Sequence, residues 1–384
     1  MKYLILDVLN SFQCIGTKCP YTCCKGWKIN IDSASANFYR GVGGKFGQKL
    51  KNSIIDNDGV SVFKMNNGSC PFLNKESLCD VYINLGEKHL CTTCKVYPRR
   101  NWNYGDITFV GKGISCPEVA RILFEASSPM QFGFTEDTSI PNECVDWSVF
   151  NVYIRGMTAS IEILQNQKLD FSVRMRAVLL LNYYLEKKLN SNSDCTELFD
   201  MFSSVDTILS LTEKISHLNT NYDTRITLFQ LIAQNITQIA ANEPIFEYIS
   251  LGIKFLSNQN TEDIKQFWKC GYCLEDGIDN SHIYEQYGVY YISAHYMDFY
   301  KRQQPYKFMV QFFALFYLQN CFEAFVYMKN MEHMKHLVLS DIVGIYTKTA
   351  RTYEHSFENK NLETTYSILK KNEMISLSFL LSLI

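Results

Sequence analysis

The sequence predicts a mainly α-helical protein whose N-terminal part is irregular, rich in cysteine and supplied with only a few short strands. Nine of the fourteen cysteines and twelve of the nineteen glycines lie within the first 116 residues. Beyond about residue 145, apolar residues instead recur every three or four positions, which is the periodicity of an amphipathic helix. We therefore expect a cysteine-rich, metal-binding region over residues 1–125 and a helical domain over residues 145–384.

Two short strands are predicted in the N-terminal part. Residues 27–32 alternate apolar and polar side chains, the pattern of a half-buried strand. Residues 107–110 form an apolar run after the turn signal of residues 104–106. The glycine-rich segment 41–47 lacks the strand–helix–strand surroundings of a nucleotide-binding loop, so we interpret it as a flexible loop.

The rest of the chain predicts a succession of helices. Asp170 is a suitable N-cap for the helix that follows it, and Pro244 and Pro305 stand where helices should break. The predicted helical segments are 147–165, 171–189, 194–216, 226–240, 245–257, 283–300, 306–329, 338–349 and 363–382.

Composition and charge argue against several classes of protein. Apolar residues make up 47% of the chain, enough to bury a core, and 37 Lys plus Arg against 39 Asp plus Glu leave no basic excess for nucleic acid. The apolar run at residues 3–6 is shorter than the roughly 7–15 residues of a secretion signal. The apolar stretch 308–328 contains Gln311, Gln319, Asn320 and Glu323, which favours a buried helix over a membrane span. We expect a cytoplasmic protein without nucleic-acid or membrane partners.

The clustered cysteines predict a metal centre. In a reducing compartment disulfides are disfavoured, and several thiolates are needed to hold a soft or borderline ion firmly. Ordinary buried thiols are the alternative. On chemistry alone, zinc and an iron–sulfur cluster remain equally open. The candidate ligands are Cys14, Cys19, Cys23, Cys24, Cys70, Cys79, Cys91, Cys94 and Cys116.

The residues around these cysteines resemble a known family. The resemblance to the flagellin lysine N-methylase (FliB) family, which is related to zinc- or iron-chelating cysteine-cluster proteins, covers residues 3–120 specifically and the remainder loosely. It is carried by Phe12-x-Cys14-Ile15-Gly16, Cys23-Cys24-Lys25-Gly26-Trp27, Cys70-Pro71-Phe72-Leu73, Cys79-x-Val81-Tyr82 and Leu90-Cys91-x2-Cys94-x2-Tyr97-Pro98-Arg99.

The resemblance implies a function. Members of this family methylate lysine side chains of flagellin with S-adenosylmethionine and are associated with a [4Fe–4S] cluster, for which the nine cysteines become ligand candidates. Cys24 follows Cys23 directly, whereas radical S-adenosylmethionine enzymes generally use C-x3-C-x2-C. This departure speaks against a standard radical mechanism, and the choice between a polar and a radical mechanism stays open. The alternative function is a non-catalytic zinc- or iron-chelating module that binds other proteins.

Other polar residues have a functional and a structural interpretation. Asp32, Asp80, Tyr82 and Tyr97 lie beside the cysteine motifs and could orient or deprotonate an amine, although turn and packing roles are favoured. Arg99 and Arg100 could hold a carboxylate, but solvated charges on a loop are the favoured interpretation.

Two further pairs of residues and a group of tyrosines also have both a functional and a structural interpretation. Cys270 and Cys273 have the spacing of a redox pair, and His333 and His336 that of metal ligands, although peripheral thiols and solvated histidines are favoured. The tyrosines at positions 290, 291, 296 and 300 could line a pocket for a methylated cation, with ordinary core packing favoured. The sequence identifies neither a catalytic base nor the residues that bind S-adenosylmethionine.

Overall fold

A computed structural model describes residues 2–57, 59–104, 107–127, 129–136, 145–215, 220–236, 244–258, 261–354 and 360–384. Its strands are β1 Lys2–Leu6, β2 Asn30–Ile31, β3 Ile54–Asn57, β4 Val60–Phe63, β5 Arg99–Tyr104, β6 Ile107–Lys112 and β7 Phe132–Glu136. The helices of the N-terminal part are α1 Ser33–Gly41, α2 Gly44–Asn52, α3 Asp80–Leu85, α4 Thr92–Val96 and α5 Pro117–Glu125.

The helical part confirms the mainly α-helical prediction. Its members are α6 Trp147–Leu164, α7 Phe171–Asn190, α8 Thr196–Ser203, α9 Val205–Glu213, α10 Tyr222–Ile236, α11 Phe246–Ser257, α12 Thr261–Cys270, α13 Asn280–His295, α14 Pro305–Met331, α15 Leu339–Tyr353, α16 Lys360–Lys371 and α17 Leu377–Leu383.

The helix predictions differ from the structure in a few places. The segment predicted as one helix over 194–216 is divided at Ser204, whose hydroxyl accepts a hydrogen bond from Thr207 N at 3.3 Å and begins α9. The segment predicted over 283–300 ends as a 3₁₀ turn from Tyr296 to Arg302. Helix α12 was not predicted. Residues 216, 105–106 and 237–240, which fall within predicted elements, lie outside the described part of the chain.

Two small sheets organise the N-terminal part. One has the order β5-β6-β1-β7, in which β1 pairs parallel with β6 and antiparallel with β7, and the other has the order β2-β4-β3. The predicted strand at 107–110 is confirmed as β6. Of the strand predicted at 27–32, only Asn30–Ile31 pairs, with Val62 and Ser61 of β4.

The larger hydrophobic core is built around α14. Twenty of its 27 residues are buried, because α14 contacts α7, α10, α11, α12, α15, α16 and α17. Within the described residues it is the one helix long and apolar enough to span a membrane, yet its most apolar window is wholly buried in the protein. This confirms its interpretation as a buried helix.

The glycine-rich segment forms a tight connection between two helices rather than a loop. Helix α1 ends at Gly41 and α2 begins at Gly44. Inside α2, a Cβ atom on Gly47 would lie 2.0 Å from the carbonyl oxygen of Val42, so this position has room for hydrogen alone. The interpretation of residues 41–47 as a flexible loop was therefore wrong for most of the segment.

Replacing Gly47 by alanine should lower the free energy of unfolding by about 2 kcal/mol, because the new methyl group meets backbone that can move only if α1 and α2 separate. Urea denaturation followed by circular dichroism measures the change. Gly41→Ala is the matched control: its Cβ would meet nothing within 4 Å, and it should leave stability unchanged or raise it by up to about 1 kcal/mol. Equal losses in both variants would contradict this packing.

Candidate thiolate centre

Five of the cysteines belong to a small hydrophobic core in the N-terminal part, which is separate from the core around α14. Cys70 and Cys91 are buried in it, and Cys24, Cys79 and Cys94 are packed against it. This core is assembled from β2, β4 and the helices α1 to α3. Cys116 instead belongs to the larger core, which also contains Phe12 and Tyr104.

Backbone pairing between two distant loops brings the first cysteine motif to the second. Gly26 N donates to Gly68 O at 2.9 Å, and Cys70 N donates to Cys24 O at 2.7 Å. Gly26 adopts a φ of +87°, a conformation that glycine reaches at little cost and that turns the chain away after the pairing. The 45 intervening residues thus close into a loop with Cys24 and Cys70 side by side.

Three cysteines, two of which belong to the small core, lie at the starts of helices. Cys79, Cys91 and Cys116 are the N-cap residues of α3, α4 and α5. Unpaired backbone N–H groups in a first helical turn stabilise a nearby thiolate. Burial raises the pKa of Cys79 and Cys116, and hydrogen bonds from these backbone N–H groups oppose the rise.

Six thiols interact with one another, and we call them the central thiol group (Cys23, Cys24, Cys70, Cys79, Cys91 and Cys94). Hydrogen bonds from Cys23 and Cys70 lower the pKa of Cys24, and a hydrogen bond from Cys94 lowers that of Cys91. Cys94 and Cys79 lie within electrostatic range of Cys24. Sulfurs separated by up to 71 positions along the chain therefore lie within electrostatic range of one another, although no three of these six are placed to coordinate one metal.

The other three cysteines form a second, outer thiol group (Cys14, Cys19 and Cys116). The Cys116 thiol lies within electrostatic range of Cys19 and Cys14. Cys14 also lies within range of Cys23, which connects the two groups. The outer thiol group thus approaches the central thiol group through Cys14.

The thiols are reduced and are not arranged around an ion. None of the cysteines in the described ranges forms a disulfide, and no three Cys, His, Asp or Glu side chains there are placed to coordinate one metal. The donor set nevertheless suits a thiophilic centre, because thiols are the ligands that zinc and iron–sulfur clusters take. Metal binding and the choice of ligands remain predictions.

Asp32 has a structural role beside this centre. One carboxylate oxygen accepts from Ser35 N at 2.9 Å and begins α1, while the other accepts from Thr92 N at 2.8 Å and begins α4. These backbone donors lower the pKa of Asp32. A single side chain therefore fixes the helix that carries Cys91 and Cys94 against the helix that follows β2.

Replacing Asp32 by alanine should lower the free energy of unfolding by about 2 kcal/mol, because two helix starts lose their acceptor. Asp32→Asn keeps one acceptor oxygen and should lose about half as much. The contribution of the carboxylate is present above its unfolded pKa of about 4 and is lost as the pH falls through its lower folded pKa. Urea denaturation of the three proteins at neutral and acidic pH measures this, and a loss for Asp32→Ala that grows towards acid would contradict it.

The other polar candidates near the motifs also have structural partners. Asp80 pairs with Lys49 at 2.7 Å, Tyr82 is exposed, and the Tyr97 ring packs edge-on against Trp27. Arg100 lies 3.6 Å from Glu354, a carboxylate of this chain itself. Arg99 is exposed, but it begins strand β5 together with Arg100, so the interpretation of the two arginines as charges on a loop was wrong.

The remaining candidates outside the cysteine motifs behave as peripheral or core residues. Cys270 is exposed at the end of α12 and Cys273 is exposed in the turn that follows it, and His333 and His336 are exposed beyond the end of α14. The four tyrosines singled out above are all buried in the larger core, which supports the packing interpretation.

Arg351 connects the helical part to the cysteine loop, and sequence reasoning missed it. This residue of α15 is 6% exposed, and its guanidinium donates to the carbonyl oxygens of Tyr21, Thr22, Lys25 and Ser115. The same group lies 5.5 Å from the centre of the Trp27 ring. The loop that carries Cys19, Cys23 and Cys24 is thereby fastened to α15 by one side chain.

Comparison with known proteins gives a consistent family relationship. Residues 158–383, more than half of the chain, match the family model of the FliB lysine N-methylase C-terminal domain. The chain is similar to flagellar biosynthetic protein FliU of Salmonella muenchen, with 30% identity over 134 residues, which are 32% of this chain and 76% of that protein.

Two further relatives are lysine-N-methylases. Those of Salmonella typhimurium LT2 and Salmonella choleraesuis SC-B67 are each 32% identical over 142 residues, which are 34% of this chain. The matched segment spans about a third (33%) of either relative. No solved structure matches the chain.

Proposed function

The chain belongs to the FliB lysine N-methylase family, and on that premise we propose that it is a methyltransferase that transfers a methyl group from S-adenosylmethionine to lysine side chains of flagellin. The match of residues 158–383 to the family model carries the proposal. The name lysine-N-methylase of two relatives supports the reaction, and the flagellar name of the third supports the substrate.

We further propose that the central thiol group holds a [4Fe–4S] cluster. A cubane takes four thiolates, and this group offers six, of which Cys24 and Cys70 are adjacent and Cys91 and Cys94 form the second hydrogen-bonded pair. When bound, such a cluster ties these loops together and can supply electrons or Lewis acidity. Arg351 would hold the loop of residues 19–24 in place whether or not the cluster is present.

The protein has to overcome the charge of its substrate. With a pKa of about 10.4, roughly one lysine in 2,500 is neutral at pH 7, and only the neutral amine is a nucleophile. The chain must therefore remove a proton from the ammonium group and align the amine with the methyl group of the donor. Deprotonation requires a proton acceptor, and alignment requires a pocket that holds the amine in place.

The direct test is anaerobic incubation of the purified protein with methyl-labelled S-adenosylmethionine and flagellin, followed by mapping of modified lysines. Label on lysine side chains of flagellin is the expected result. A protein with full metal content that transfers no label to flagellin would overturn the proposal and favour the metal-chelating interaction module. Label on another protein in a parallel incubation would retain the reaction and replace the substrate.

A further inference from the structure

A cavity in the helical part is walled by aromatic rings. It has a volume of about 210 Å³ and lies between α7, α10, α12, α13 and α14. Phe171, Tyr284 and Phe316 form one cluster in its wall, with ring centroids 5.1–6.1 Å apart, and Tyr222, Trp268 and Tyr317 belong to another part. Faces of aromatic rings attract organic cations, most strongly where water is excluded.

A buried carboxyl group lies directly behind this wall. Glu323 has no exposed surface, and its Oε2 accepts from the hydroxyl of Tyr284 at 2.7 Å and from Asn320 Nδ2 at 3.3 Å. Tyr284 and Asn320 both line the cavity. The hydroxyl of Tyr346 donates to the other oxygen at 3.0 Å. One side chain that lines the cavity, Tyr284, is therefore hydrogen-bonded to a buried acid.

The surroundings of Glu323 prepare it to take up a proton near neutral pH. Burial raises the pKa of Glu323 to about 7, against the lowering effects of the tyrosine hydrogen bonds and of Arg225. Around it, among the described residues, are the phenols of Tyr272, Tyr284 and Tyr346, the thiol of Cys321 and the guanidinium of Arg225. Burial raises the pKa of these phenols and of the thiol, so they stay neutral where Glu323 titrates.

The charge of Arg225 is held in the wall of the cavity. Its guanidinium lies 4.7–5.5 Å from the rings of Tyr222, Trp268 and Tyr317, and its Nε donates to Leu383 O at 2.9 Å. A fixed cation near an amine favours the neutral form of that amine. Arg225 therefore assists deprotonation of an ammonium group that the aromatic wall has attracted.

We propose that this cavity receives the side chain of the substrate lysine and that Tyr284 and Glu323 remove its proton, an inference that rests on the proposed lysine methylation. The ammonium nitrogen gives a proton to the phenolic oxygen of Tyr284 as Tyr284 passes its own proton to Glu323. The neutral amine then forms a bond to the methyl carbon of a sulfonium donor, while the carbon–sulfur bond breaks and leaves its electron pair on sulfur. Tyr284 contacts the substrate, and Glu323 acts through Tyr284.

Binding tests the site without turnover. Nα-acetyl-lysine amide and the uncharged Nα-acetyl-norleucine amide should be titrated into the full chain by calorimetry, with the fluorescence of Trp268 as a second signal. The wild type should prefer the lysine amide by roughly tenfold or more, and Glu323→Gln and Tyr284→Phe should lose most of this preference. No preference in the wild type, or a preference untouched by both variants, overturns the proposal.

The dependence of turnover on pH separates a proton acceptor from a packing residue. In the wild type kcat should rise with pH through an ionisation near 7, and Glu323→Gln should lose this inflection and about a hundredfold of kcat. Glu186→Gln is the matched control, because burial also raises the pKa of this carboxyl group on α7 and it accepts from the backbone N–H groups of Tyr306 and Lys307 at the start of α14. It should keep the wild-type profile.

The outcomes separate the site from the function. Methylation of flagellin that is unchanged in Glu323→Gln and Tyr284→Phe overturns the site and leaves the proposed function intact. A lysine preference that depends on both residues, without any methyl transfer, supports the site and overturns the function. Displacement of the lysine amide by S-adenosylmethionine assigns the cavity to the methyl donor and overturns the proposal.

Discussion

Replacing Cys24 by serine should remove most of the bound iron and reduce methyl transfer by about a hundredfold or more. Cys24 accepts hydrogen bonds from Cys23 and Cys70 and lies within electrostatic range of Cys79 and Cys94, so it is the common member of the central thiol group. Serine is nearly the same size but is a poor ligand for iron, since a hydroxyl group stays protonated where a thiol ionises. Iron and sulfide analysis of the anaerobically purified variant, together with the labelled-methyl assay, measures both effects.

Cys273→Ser is the matched control for this substitution. Cys273 is exposed in the helical part and belongs to neither thiol group. The control should keep its iron and its activity. If Cys24→Ser retains wild-type iron content, the central thiol group is not the metal site.

Replacing Arg351 by methionine should lower the free energy of unfolding by about 3 kcal/mol. Methionine preserves much of the buried volume but removes a donor from the carbonyl oxygens of Tyr21, Thr22, Lys25 and Ser115. The carbonyl oxygen of Thr22 keeps a second donor, Lys25 N. Unpaired buried carbonyl groups are costly, and the loop of residues 19–24 should separate from α15. Urea denaturation measures the loss, and faster amide hydrogen exchange in this loop would show where it arises.

A surface arginine provides the comparison. Arg121 on α5 pairs with Glu118 and Glu125, but its side chain is 43% exposed. Arg121→Met should cost less than about 1 kcal/mol. Similar losses for the two variants would contradict the role assigned to Arg351.

The helices could be predicted from the sequence where apolar residues lie along one face of the helix or cover its whole surface. Helix α7 begins at Phe171 after Asp170, as expected, although the Asp170 side chain makes no capping hydrogen bond. Helix α14 begins at Pro305 and is buried on all sides, which its long apolar run indicated. Helix α12 was missed because its mostly polar residues have only Ile264 and Phe267 buried.

The strands were harder to predict because they depend on partners far along the chain. Residues 2–6 look like a short apolar N-terminus, and they become a strand only because β6 and β7 pair with them on either side. Gly47 was misread for a similar reason, since its close approach to Val42 is visible only in three dimensions.

The candidate site was predictable to the extent that one residue type carries it. Nine cysteines with short spacings indicated convergence, and the structure places Cys24 beside Cys70 and Cys91 beside Cys94. Arg351, Tyr284 and Glu323 have no such signal: each is a single polar residue in a helical sequence. Their roles come from the carbonyl groups, aromatic rings and hydroxyl groups that folding places around them.

Metal analysis of the anaerobically purified full chain tests the account most directly. About four iron and four sulfide per chain, with an electron paramagnetic resonance signal of a reduced cluster after dithionite, are the predicted result. One zinc per chain without sulfide, or a metal-free protein that methylates lysine at an undiminished rate, would contradict it.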